Sequence, residues 1–260
     1  MAKADSEEIS LVRPGLAPLR GSPARASTTS EQALAQVIAV LSGNLPARAP
    51  GQRLSAPAGV SQSLYGLVVF MSEELTQKER QLLWPFAAPL SCSGLDYAAE
   101  GARLLKIADW TVREALLLAV EAEGLGPEAD FIRKISPITN RKSALCAAAS
   151  AADVRDSAEN AGAGFISACA CFAADSATSV GRSQPGTNFA RKEGELIAFR
   201  ANAAGKEALA AGANRTALIN SQIDLIDHLC SKRSALLEMS TSTLEVDSDP
   251  YAHRFSLIPC

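Results

Sequence analysis

Apolar positions along most of this chain recur with the 3.6-residue period of a helix, not the two-residue period of a strand. Leu34, Val37, Ile38 and Leu41 fall at helical spacing between Ser30, which can cap, and Gly43, which can stop, and predict a short helix there. Thr76-Gln77-Lys78-Glu79 has the reciprocal spacing of a capping box, so a helix starts there, runs through Leu82, Leu83, Trp84 and Phe86, and is closed by Pro85 and Pro89. A long central helix is expected from about Asp96 to Glu123, apolar nearly all round, with one narrow polar stripe of Arg103, Lys106, Asp109 and Arg113. Gly124 and Gly126 end it, Pro127 opens a short helix, and Pro137 closes that helix after Ile135.

From Asn140 to Ala177 the pattern stays helical. An unbroken helix of that length would span about 57 Å, whereas a domain of about 190 residues has a radius of gyration near 16 Å. Gly162 and Gly164 are therefore the expected break. Val180 to Asn188 reads as an exposed loop, followed by an Ala-rich helix from Phe189 to Gly212 and an amphipathic one from Asn214 to Met239. Leu64 to Phe70 is the one run that fits a strand. With no second strand to pair with, it is expected to pack as an isolated apolar segment.

Composition strengthens the helical reading. Fourteen alanines occur in the 34 residues from Ala144 to Ala177, and alanine loses no side-chain entropy in a helix. Aromatic residues make up only 5% of the chain, so close backbone approach must compensate for small buried area. Six of the 13 prolines lie in the first 60 residues. Residues 1–70 are accordingly expected to be a mostly disordered arm, 71–240 an all-α, Ala-rich multi-helix bundle or array, and 241–260 a C-terminal tail, loose at its start, in which Tyr251 and Phe255 around His253 suggest docking onto the domain.

Charge and chemistry narrow the function classes. A net charge of −3, with both signs mixed along the chain, offers no electrostatic footprint for nucleic acid. The longest uncharged run, Leu54 to Ser72, has an apolar core only from Leu64 to Met71, too short for a membrane span. Asp5, Glu7 and Glu8 stand where a secretory signal would be apolar, and the six cysteines have neither zinc nor disulfide spacing, so a cytoplasmic location is expected. Cys169 and Cys171 face apart on a helix. Gly124-Leu125-Gly126 and Gly162-Ala163-Gly164 touch on nucleotide-binding glycine patterns but lack the preceding strand and the lysine. His228, beside Asp224 and Asp227, lacks further ligands, and the Asn214-Arg215-Thr216 sequon reads as fortuitous. No catalytic, cofactor or metal residue is therefore assigned. Asp109 and Arg113, an i,i+4 pair on the polar stripe, are the candidate partner-binding surface, although an intrahelical ion pair and a core Trp110 explain the segment without any function.

Leu82-Leu83-Trp84-Pro85, Ala108 to Glu114, Ile135-Ser136-Pro137-Ile138, the Ala-rich tract and Leu225 to Cys230 occur in an order that resembles a loose group of bacterial Ala-rich helical proteins. Some members of that group carry an immunity-protein label. The resemblance implies a helical module that works by binding another protein, and it carries no residue roles. The expected function is thus a non-enzymatic protein-binding module of immunity or adaptor type with a protein partner. The alternative is an effector exported or targeted by its N-terminal arm.

Overall fold

The computed structural model describes residues 26–44, 54–94, 97–183 and 189–231, which are helical with no strand among them. In chain order the helices are α1 (Ala26–Leu41), α2 (Gln62–Glu74), α3 (Gln77–Arg80), α4 (Ala87–Ser91), α5 (Tyr97–Trp110), α6 (Leu116–Ala122) and α7 (Gly126–Arg133). They continue as α8 (Arg141–Asn160), α9 (Gly164–Gly181), α10 (Phe189–Ala210) and α11 (Arg215–Ser231). The multi-helix all-α expectation holds.

The main correction lies at the N-terminal side. Leu64 to Phe70 belongs to helix α2, whose N-cap Ser61 accepts a hydrogen bond from Leu64 N at 3.2 Å, and every residue from Ser63 to Ser72 is buried. An uninterrupted apolar run has no period that separates a buried helix from a buried strand. Here α10 and α5 pack around it and bury it. Ala33, Val37, Val40 and Leu41 of α1 join the same core. The expected boundary at residue 71 therefore cuts a core helix, and the folded unit includes α1 and α2. Helix α1 begins at Ala26, so Ser30 is not its cap, while Gly43, at φ +88°, does stop it. Residues 1–25 and 45–53 of the expected arm, the end of the last expected helix and the tail with Tyr251, His253 and Phe255 lie outside the described residues.

The Thr76 capping box forms as spaced, Thr76 N donating to Glu79 Oε2 at 2.8 Å and Glu79 N to Thr76 Oγ1 at 3.3 Å. The helix it starts lasts one turn, because Pro85 lies in a tighter 3-10 turn over Gln81–Phe86. Pro89 does not close a helix but sits in the first turn of α4, where its missing N–H has no helical partner to lose. The central helix is continuous across a π-helical turn, Thr111–Ala115, where Thr111 Oγ1 donates to Ile107 O at 2.7 Å. Its polar stripe is not wholly solvated, since Arg103 is only 2% exposed.

The break falls at Ala161 to Ala163, and α8 and α9 fold back on each other; both bury small residues, among them Ala144, Ala147 and Ala151 on α8 and Ala173 and Ala177 on α9, while Cys169 Sγ of α9 donates to Ala204 O of α10 at 3.4 Å. Helix α10 lies at the centre, packed against α2, α5, α6 and α9. It approaches α2 at glycine: a methyl on Gly194 would lie 3.1 Å from Ser63 N, and one on Gly66 3.1 Å from Ala198 Cβ. Replacing Gly194 by Leu is expected to destabilise the protein by about 1–3 kcal/mol through overpacking. Gly101→Ala, where α5 leaves open space, should instead stabilise it by about 0.5–1 kcal/mol by removing helix-interior glycine. Urea unfolding of both variants checks the opposite signs.

Candidate functional site

The residues singled out on the polar stripe serve the fold. Arg113 Nη1 lies 3.4 Å from Asp109 Oδ2, and Asp109 Oδ1 accepts Ile138 N at 2.8 Å, latching the segment between α7 and α8 to the central helix. Trp110 Nε1 donates to Ser221 Oγ at 2.7 Å and ties that helix to α11. Desolvation raises the pKa of the neighbouring Glu114 carboxyl; Arg113 opposes that rise, while Asp109 and Glu121 add to it.

The twin glycine turns are helix stops. Gly124 and Gly162 have φ of +74° and +75°, a region that favours glycine. In the first turn Gly124 N, Leu125 N and Gly126 N donate back to Glu121 O, Val120 O and Gly124 O; Gly162 N, Ala163 N and Gly164 N repeat the pattern onto Glu159 O, Ala158 O and Gly162 O. These amides are spent within the turns, so neither turn cradles phosphate. His228 is half-buried, and among the described residues no group of His, Cys, Asp and Glu is arranged to hold a metal ion. Asn214 of the sequon caps α11, its Oδ1 accepting Ala217 N at 3.0 Å.

A polar cluster lies inside the bundle. Glu100, 6% exposed, accepts Ser63 N at 2.8 Å and Ser61 Oγ at 2.7 Å, and faces Arg103 Nη1 at 3.3 Å. Arg103 Nη1 also donates to Ser93 O at 2.8 Å, and Ser93 Oγ accepts Ser61 N at 3.0 Å. The network joins the start of α2, the end of α4 and the start of α5, and Arg103 Nε has no hydrogen-bond partner among the described residues. Its hydrogen bonds run to other parts of the chain. Burial pushes the Cys169 thiol well up and Cys230 to about 12, so neither is a thiolate at neutral pH.

The surface is where binding chemistry collects. Phe165 on α9 and Leu196 and Phe199 on α10 are 52%, 40% and 46% exposed. Half-buried Phe172 packs edge-on to Phe199 at 6.5 Å between ring centroids, and Phe70 of α2 meets Phe199 at 5.6 Å. Phe165, Ala168 and Phe172 form a stripe on α9 at i, i+3 and i+7 that runs beside the buried line of Ile166, Cys169 and Ala173, about 100° round the helix from it. At its N-terminal end the stripe meets an open cavity of about 620 Å³ lined by Leu125, Phe165, Ala168 and the Gly162 turn, with the carboxylates Glu123 and Glu207. The chain matches no family model, no curated protein and no solved structure. Reading apolar helix positions as core missed this face. The available signal was that α9 is apolar on two sides, more than one packing seam requires.

Two electrostatic predictions follow from these partners. Glu100→Ala strands buried Arg103 and should cost about 3–5 kcal/mol in chemical denaturation. Arg215 donates to both Glu79 oxygens at 2.9 Å and, with the Thr76 N–H, lowers the Glu79 pKa from 4.5 to about 2. Because the folded pKa is depressed, this contribution is complete above about pH 4.5 and is lost as pH falls towards 2. Denaturation midpoints across that range should fall less steeply in Glu79→Gln than in the wild type.

Proposed function

We propose that this chain is a non-enzymatic, cytoplasmic protein-binding module of immunity or adaptor type, and that it binds its partner through the aromatic face of α9 and α10. The observation that supports this reading is the exposure of Phe165, Leu196 and Phe199 on two helices held rigidly by their alanine seam and by α2. Contiguous exposed aromatic residues mark interaction surfaces, and rigid aromatic anchors contribute much of the binding energy at protein interfaces. The five cysteines among the described residues are free thiols, in keeping with a reducing compartment. Binding thereby moves from the Asp109–Arg113 stripe, whose carboxylate is engaged within the chain, to a face with nothing packed on it among the described residues.

The test is affinity capture from the source lysate with the full-length protein and with the double variant Phe165→Ser, Phe199→Ser, after circular dichroism has shown equal helicity. The wild type should retain a partner that the double variant loses at least about tenfold, since a hot-spot aromatic contributes about 2 kcal/mol or more. Equal retention by both proteins, or no protein above background, overturns the proposal.

A further inference from the structure

The aromatic face runs into the cavity at the start of α9, and the charge there is one-sided. Several acidic groups around the α9–α10 pair have partners of their own: Asp175 lies 3.6 Å from Arg200, Glu74 2.6 Å from Lys206 and Glu159 3.9 Å from Arg155, and Glu195 accepts Leu54 N at 2.6 Å. Glu123 and Glu207, which line the cavity, have no ion-pair partner among the described residues. Helix α9 begins at this cavity without a side-chain cap. Its N-terminus carries the equivalent of about half a positive charge, too little to offset two carboxylates. The field in the cavity therefore favours a cation over an anion.

We propose that the cavity and the aromatic face form one groove for a helical segment of a partner protein that places a lysine or arginine between Glu123 and Glu207 and apolar side chains against Phe172 and Phe199. Phe165 and Phe172 are two turns apart on α9, about 10 Å at 1.5 Å per residue. The matching segment thus carries its basic residue about two turns from its apolar anchor, on one face of an amphipathic helix. This inference rests on the binding role proposed above and adds the chemistry of the partner.

Three fluorescent helical peptides with the same leucine face and with lysine, glutamine or glutamate at the position two turns away serve as probes. Anisotropy titrations use the full-length protein, its Glu123→Gln, Glu207→Gln variant and its Phe165→Ser, Phe199→Ser variant. The lysine peptide should bind about tenfold more tightly than the glutamate peptide, lose that preference in the Glu123→Gln, Glu207→Gln protein and weaken with added salt. All three peptides should lose affinity for the Phe165→Ser, Phe199→Ser protein. Equal binding of the three peptides, lost only in the phenylalanine variant, overturns the basic-partner assignment and leaves the aromatic docking face standing. Absence of binding by every peptide overturns the groove, whereas the capture experiment judges the binding role by itself. A dimer in sedimentation that dissociates in the phenylalanine variant also overturns the inference, because a second copy then covers the face.

Discussion

Helix α10 touches α2, α5, α6 and α9 because its neighbours come unusually near its axis, and the remaining packing depends on that approach. Gly194 leaves room for the backbone of α2 at Ser63, and Gly66 leaves room for Ala198 in return. With few aromatic residues to fill space, the chain gains its cohesion from many short-range contacts between small side chains, each weak by itself. Alanine and glycine thus do in this protein what large side chains do in most cores. The arrangement tolerates little added volume along the α2–α10 crossing.

Inside this framework the Glu100 network orders the junction of three segments. Its hydrogen bonds run from the α2 N-terminus to α5 and, through Ser93, to the end of α4, so the carboxylate serves as a cap for a helix remote in sequence. A buried ion pair is weak evidence for net stability, because desolvation offsets most of its attraction. Its stronger effect is on geometry: only one placement of α2 against α5 satisfies Ser61, Ser63 and Arg103 together. That placement also presents Phe70 to Phe199, so the buried network and the exposed aromatic face share a common support.

The surface divides into regions with different roles. Asp109 and Arg113 are partly exposed and Trp110 is buried, and the polar atoms of all three hold the chain to itself. Glu79 and Arg215 likewise link α3 to α11 at the rim. The α9–α10 face differs, since Phe165, Leu196 and Phe199 stay 40–52% exposed and the cavity at its end is lined by Glu123 and Glu207. This contrast supports a binding role there.

Several features were legible in the chain alone because their physics is local. The Thr76 capping box, the Gly43 stop, the Gly162 break and the spacing of the Ala-rich helices depend on residues within a few positions of each other. Three others were not legible. Leu64 to Phe70 lacks a period, so its helical state depended on α10 and α5 burying it. Asp109 reads as an intrahelical partner, and its bond to Ile138 N joins positions far apart in sequence. Phe165 and Phe199 look like core residues until the packing shows which apolar stripe of each helix is used. Sequence by itself determined the local signals that start, stop or break a helix at Thr76, Gly43 and Gly162, because capping and glycine conformation act over one turn. Tertiary structure alone decided which apolar faces are covered, because burial is a property of what lies opposite, and no residue encodes that by itself.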